Sequence, residues 1–249
     1  MLNGPGQSES IRRILSLMTV AVCSFSLAAC TGTQMTGKHL FILSGQSNMT
    51  GTVKVAFAER VQAHYGEENA VVVISSRSGR GIRFWVEDYR QPGDRGLTPK
   101  KMTSNGEEYT RLIKAVMDAA QDESFDTVGF IWMQGESDAN NRLSEVYEES
   151  FHKLIARLEK DLGRDDLYYV IGRINDYAAS RPDNEHWHRV RETQVKLGST
   201  QGNGWVDTDD LNGGNNEQPD GDIHFPKQGA TVLGQRFANK AMELIDGHR

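Results

Sequence analysis

The sequence predicts an α/β domain, a three-layer sandwich with a five-stranded, mainly parallel sheet and helices on both faces. Two observations carry this. Five short apolar segments are nearly continuous rather than alternating, as strands buried on both faces are. Helical patterns separate these segments along the chain, and strands alternating with helices build parallel sheets.

Taken in order, His39–Leu43 is the first strand: an apolar run that stops abruptly at Ser44-Gly45-Gln46-Ser47-Asn48. A helix over Val53–His64 leads to a second strand at Ala70–Ser75. Arg77 to Gly106 is the longest irregular stretch, rich in Gly, Pro, Arg and Lys. Loops of that length in compact domains are usually functional or mobile, so it is a candidate wall of a site. A helix over Glu107–Gln121, a strand over Thr127–Met133 and a helix over Leu143–Leu162 follow. In the last of these, Val146, Phe151, Leu154, Ile155 and Leu158 keep roughly helical spacing on one face. Leu167–Ile174 and Gly204–Asp207 complete the strands, Glu185–Leu197 and Gln228–Ile245 the helices. There is no internal repeat or low-complexity tract.

The first thirty residues read as a targeting segment. Arg12 and Arg13 precede an apolar stretch, Ile14–Leu27, which ends in Leu27-Ala28-Ala29-Cys30. A basic region, a short apolar region and small residues make a secretory signal, and the stretch falls short of the roughly 20 residues a membrane-spanning helix needs. Leu-Ala-Ala-Cys resembles the lipobox of bacterial lipoproteins. That resemblance implies a signal over 1–29, lipidation of Cys30, a lipidated tether over 30–37 and attachment to a membrane through the acyl chains. Thr31, where an Asp would otherwise stand, resembles lipoproteins sorted to the outer membrane.

The chain has only two cysteines, Cys23 in the leader and Cys30, so the domain over 38–249 has no pair for a disulfide. Thiol catalysis and Cys-ligated zinc are excluded by the same count. With 28 basic against 34 acidic residues and a net charge of −6, and without a long basic run, the composition argues against nucleic acid as a partner.

Several strand ends and following loops bear chemistry. A serine just past a strand tip is where α/β enzymes place nucleophiles, since strand C-termini open into the ligand crevice. Ser47 occupies that place. A serine hydroxyl needs a base, the base needs a carboxylate to orient it, and the developing oxyanion needs preorganised N–H donors. After the second strand comes Arg77-Ser78-Gly79-Arg80-Gly81-Ile82-Arg83-Phe84-Trp85, after the third Trp132-Met133-Gln134-Gly135-Glu136-Ser137-Asp138, and after the fifth Asp220-Gly221-Asp222-Ile223-His224.

These blocks resemble the SGNH (GDSL-like) hydrolase superfamily, and within it the sialate O-acetylesterase and carbohydrate esterase family six branch. The matching segments are Gly45-Gln46-Ser47-Asn48-Met49, Gly79–Trp85, Trp132–Asp138 and Asp220–His224, in the family's order across nearly the whole domain. The resemblance implies a flavodoxin-like sandwich, Ser47 as nucleophile and His224 as base, and an oxyanion hole from the Ser47 and Gly79 amides with the Gln134 side chain. It implies no cofactor and no metal. The family's Asp lies three residues before the His, where this chain has Gly221. Asp222, two residues before His224 and on the same side of an extended segment, Glu136 and Asp220 are therefore the open choices for the acid.

Arg80 and Arg83, with Arg77, could pair with a sugar carboxylate, and Trp85 could stack on a sugar ring or be buried. His186 and His188 sit two apart on a helix and face different ways, against a metal site. Asp207, Asp209 and Asp210 lack the spacing of a calcium loop and read as solvated. Arg173, Arg191 and Gln194 resemble residues the branch keeps for internal polar packing. The expected function is an exported serine esterase that removes O-acetyl groups from carbohydrate through an acetyl-Ser47 intermediate. Its rivals are an esterase, lipase or thioesterase on a non-carbohydrate ester, and a glycan-binding lipoprotein without turnover.

Overall fold

A computed structural model describes residues 37–93, 104–121, 123–179, 181–182, 184–213 and 222–247. The leader over 1–29, Cys30, the tether up to residue 36, and Asp220 lie outside the described residues. Among those described, no helix is long and apolar enough to cross a membrane.

Five strands form one sheet: β1 (His39–Gly45), β2 (Ala70–Ser76), β3 (Thr127–Met133), β4 (Tyr168–Gly172) and β5 (Gly204–Val206), in the order β2-β1-β3-β4-β5. Every pairing is parallel. Strand β1, flanked by β2 and β3, is buried along its whole length, which is why it reads as an unbroken apolar run. Helices α1 (Gly51–Tyr65) and α6 (Lys227–Gly247) pack on each other on one face of the sheet. Helices α2 (Glu107–Ala120), α4 (Tyr147–Leu162) and α5 (Glu185–Gly198) cover the other. A short helix α3 (Glu136–Asn140) follows β3 directly.

The chain runs from β1 outward to β2 and then returns past β1 to β3. Between β1 and β3 the direction of winding reverses, and in open parallel sheets ligands bind at the carboxyl ends of the strands beside such a reversal. The residues after β1 and β3 are the G-Q-S-N and Q-G-E-S-D segments.

The polar face of the core lies just beneath that edge. Trp85 and Trp132 meet edge to face with ring centroids 5.0 Å apart. Their indole N–H groups are both used: Trp85 donates to Ser44 Oγ at 3.1 Å and Trp132 to Tyr147 O–H at 3.1 Å. The Tyr147 hydroxyl in turn donates to Gln134 O at 2.7 Å. Trp85 is 0% exposed, so it fills the core and offers no face on which a sugar ring could stack, contrary to that expectation.

The element boundaries shift where local chemistry decides them. β1 runs on to Gly45, because Ser44 and Gly45 still pair with Ser75 and Ser76 on one side and Trp132 and Met133 on the other. The expected helix over Leu143–Leu162 is a 3-10 turn over Ser144–Val146 followed by α4. Thr50 caps α1 by accepting from Val53 N–H at 3.3 Å, and Pro226 begins α6 with its carbonyl accepting from Ala230 N–H at 2.9 Å.

Candidate active site

Gly45 sets the nucleophile turn. Its φ is +143°, and a Cβ there would stand 1.9 Å from Met133 O. Only glycine lets β1 graze β3 so closely at the sheet edge. The next residue uses that carbonyl: Gln46 N–H donates to Met133 O at 2.9 Å. Met49 N–H then donates to Gln46 O at 2.9 Å, closing a tight turn over 46–49. Ser76 Oγ donates to Met49 O at 2.7 Å, and Arg77 N–H to Gly45 O at 3.0 Å, tying the turn to β2. Gln46 is buried beneath it, its Oε1 accepting from Ser137 N–H and Gln134 Nε2, each at 3.2 Å. Ser47 rides at the tip, half-buried.

His224 reaches Ser47 from the segment that enters α6. Its Nε2 stands 3.0 Å from Ser47 Oγ, the distance of a hydroxyl hydrogen-bonded to its base. The other ring nitrogen faces Asp222, with Nδ1 and Oδ1 3.9 Å apart. The same Asp222 oxygen accepts the His224 backbone N–H at 3.0 Å. Both side chains are exposed, His224 by 59% and Asp222 by 71%, so solvent screens this pair.

Three asparagines hold that segment. Asn212 O accepts Asp222 N–H at 3.2 Å. Asn175 Nδ2 donates to Asp222 O at 3.1 Å and Ile223 O at 3.3 Å. Asn48 Nδ2 donates to Ile223 O at 2.9 Å, and its Oδ1 accepts from Phe225 N–H at 3.2 Å. The Trp187 indole donates to Asn175 O at 2.7 Å and keeps that residue in place. Asn175, Asn212 and Trp187 were not anticipated. The available signal was position alone, since Asn175 follows β4 at the sheet's reactive edge.

Two carboxylates of the W-M-Q-G-E-S-D segment are buried behind the pair. Gly135, at φ +152°, turns the chain into α3, and a Cβ there would stand 2.7 Å from Val190 Cγ1. Glu136 is 1% exposed; its Oε1 accepts from Asn48 Nδ2 at 2.7 Å, and its Oε2 has no hydrogen-bond partner among the described residues. No hydrogen bond or ion pair joins Glu136 to His224. Burial pushes its carboxyl up to about 7, against the opposing pull of backbone and Asn48 hydrogen bonds. Asp138 accepts from Ile82 N–H at 2.9 Å and from Gln134 Nε2 at 2.5 Å, so it anchors the segment after β2. Burial raises its carboxyl to about 6.

The expected oxyanion groups divide. Ser47 is at the tip of its turn, and Gly79 occupies an exposed turn with φ +69°. Gln134 is 0% exposed, and its Nε2 lies 3.2 Å from Gln46 Oε1, 3.2 Å from Arg80 O and 2.5 Å from Asp138. It braces the three segments from behind, which corrects its expected place in the hole.

Of the arginines in the expected wall, Arg83 is largely buried, stacked on Phe84 at 3.8 Å and donating to Asn105 Oδ1 at 3.0 Å. Packing against its neighbours takes it out of the substrate-facing set. Arg80, 32% exposed, also lies over the Phe84 ring at 4.3 Å, with its Nε 3.6 Å from Glu108. The acidic run after β5 is ion-paired, with Asp207 and Asp210 still exposed to solvent as expected. Asp209 receives Arg191 at 2.7 and 2.8 Å and Arg173 at 2.7 Å; Arg173 also meets Asp207, and Arg236 meets Asp210, each at 2.6 Å. Gln194 accepts from Ile174 N–H at 2.8 Å and donates to Gln134 O at 2.7 Å. His186 is buried against Ser144 Oγ at 2.7 Å, while His188 is exposed beside Ala179 O at 3.1 Å. Among the described residues no group of three or more His, Cys, Asp or Glu comes together as a metal site would require.

The sequence profile of the family described as "SASA: Carbohydrate esterase, sialic acid-specific acetylesterase" matches residues 53–243, beginning just past the nucleophile turn. The chain belongs to this family, and is an esterase by that membership. No curated protein sequence matches it. An Arabidopsis thaliana protein superposes with a TM-score of 0.60 at 17% identity, over 84% of this chain and 99% of its own. A carbohydrate acetylesterase from Xanthomonas citri gives 0.61 at 18%, over 84% of this chain and 57% of that one. Another, from Sinorhizobium meliloti, gives 0.54 at 13%, over 83% and 99%. At these identities the likeness is one of fold.

Proposed function

We propose that this member of the carbohydrate esterase family is an exported serine O-acetylesterase acting on acetylated carbohydrate. The observation that carries the reading is the 3.0 Å approach of His224 Nε2 to Ser47 Oγ, at the carboxyl edge of the sheet where the strand order reverses. Ser47 Oγ attacks the acetyl carbonyl carbon as its proton passes to His224 Nε2. The oxyanion so formed is met by the Ser47 and Gly79 amides. Asp222, 3.9 Å away on the Nδ1 side, offsets the imidazolium charge and, on closing to hydrogen-bond distance, holds the tautomer that leaves Nε2 free to accept. Collapse breaks the bond to the sugar oxygen, which takes the proton from His224 and leaves acetyl-Ser47. Water, deprotonated by His224, then releases acetate and restores the serine.

A carbohydrate substrate is supported by the family's description and by the polar character of the segment after β2, where Arg77 is exposed and Arg80, half-buried, stands 3.6 Å from Glu108. Export and membrane attachment rest on the leader sequence and Cys30. The test is acetate release from p-nitrophenyl acetate and from acetylated xylan, pectin and sialic acids. Turnover of short acetyl esters that vanishes in Ser47→Ala is the expected result. A preference for long acyl chains would move the protein to a lipase or thioesterase, and glycan binding without turnover would make it a lectin-like protein. Labelling with radioactive palmitate, lost in Cys30→Ala, tests the anchor.

A further inference from the structure

Asn48 adjoins the nucleophile in sequence and grips the base in space. Its carboxamide is buried, 3% exposed, and both of its polar atoms are engaged. Nδ2 donates to Ile223 O and Oδ1 accepts from Phe225 N–H, so one side chain holds the peptide on either side of His224. This is the pattern one residue of a parallel strand makes with its neighbour. Asn175 reaches only the N-terminal side.

A primary amide has two ends of nearly equal shape. Flipped, Asn48 would set oxygen against Ile223 O and N–H against Phe225 N–H, and the grip would become a repulsion. Glu136 Oε1, 2.7 Å from Nδ2, is a further acceptor on the same side and strengthens the orientation that Ile223 O and Phe225 N–H favour. It serves this purpose in either protonation state, since a carboxylic acid retains an accepting oxygen.

We propose that Asn48 is the positioning residue that aims the His224 imidazole at Ser47 Oγ, and that Glu136 acts as the acceptor that fixes the Asn48 carboxamide rather than as the charge partner of His224. The inference rests on the acyl-transfer reading of the Ser47–His224 pair.

It is tested with Asn48→Ala, Asn48→Asp, Glu136→Gln, Glu136→Leu and the double variant N48D/E136Q. For each, kcat and KM on p-nitrophenyl acetate, the rate of Ser47 modification by a fluorophosphonate, and thermal unfolding are measured. Both Asn48 variants lose about 100-fold in kcat with KM nearly kept, the scale on which a misplaced catalytic group costs rate. Glu136→Leu loses about tenfold, whereas Glu136→Gln, whose Oε1 can accept from Asn48, loses only about threefold. N48D/E136Q regains about tenfold over Asn48→Asp, because the glutamine amide can donate to the introduced carboxylate and restore the link in reverse.

Folded Asn48 variants within about twofold of wild type would overturn the proposal. So would a Glu136→Gln that falls as far as Glu136→Leu, since the charge would then be the working part. If Asn48→Ala fails to fold, the isosteric Asn48→Asp and the Glu136 pair decide the matter. A wild-type protein that hydrolyses no acetyl ester would sink the acyl-transfer reading instead, and the fluorophosphonate rates then decide the positioning claim separately.

Discussion

Ser47 and His224 stand 3.0 Å apart, yet the two halves of the site are built differently. The serine turn is a continuation of the sheet: Gly45 pairs with strands on both sides, and Gln46 still bonds to β3. Its geometry is set by backbone packed in the core, which moves only if the core does. The base segment lies outside any strand, its His and Asp exposed, and its backbone hangs from the side chains of Asn48 and Asn175 and a single carbonyl of Asn212. The nucleophile is thus preorganised by the fold, and the base by a few hydrogen bonds. Substitutions that force the packed backbone of the serine turn apart threaten stability; those that release the backbone beside the histidine threaten rate.

The comparison can be broken in graded steps. Ser47→Ala abolishes the chemistry and lowers kcat by about 10⁴-fold or more without unfolding the protein, as read by acetate release beside a melting curve. Gly45→Ala does the opposite. The Cβ meets Met133 O and the backbone is left-handed, so we expect destabilisation of about 4 kcal/mol or more in urea titration. Asp222→Asn lowers kcat by about 100-fold, less than a buried triad acid costs, because the 3.9 Å pair is exposed to solvent. A drop as deep as that of Ser47→Ala would show the exposed view of Asp222 to be wrong.

The smallest effect concerns pH and the buried carboxyl. Glu136 binds its proton up to about 7 when folded and only in the ordinary carboxylate range when unfolded. Between those values the folded state holds more protons, so stability falls as pH rises through the window and stays low above it. Glu136→Gln removes that slope. Its stability gains on wild type by on the order of 2 kcal/mol between mildly acid and mildly alkaline buffer, read by denaturant titration at both. Asp138, shifted in the same sense, keeps part of the slope in both proteins.

Most of the scaffold could be read from the chain because strands buried on both faces must be continuously apolar, and all five were placed that way. Ser47 stood out by its place just past the first strand tip, and the roles of Ser47 and His224 came from the resemblance of their segments to the family's motifs. The rest depended on contacts between distant residues. The five-residue α3 has no periodicity to detect. Whether Trp85 stacks on ligand or fills the core turns on Ser44 and Trp132 lying beside it. The Asp207–Asp210 run is exposed as expected at Asp207 and Asp210, but its pairing with Arg173, Arg191 and Arg236, which come from β4's end and two helices, depends on the fold. Glu136 resembles a partner for His224 in the sequence; in the fold it meets Asn48, 88 residues earlier.

Two-step acyl transfer requires Ser47 to carry the acetyl group between the two half-reactions. Mass spectrometry of the protein quenched during hydrolysis of an activated acetyl ester tests this most directly. We predict an acetyl adduct on the peptide containing Ser47, absent from Ser47→Ala and from the unreacted protein. Acetate release at the wild-type rate by Ser47→Ala, with no adduct on that peptide in wild type, would contradict it.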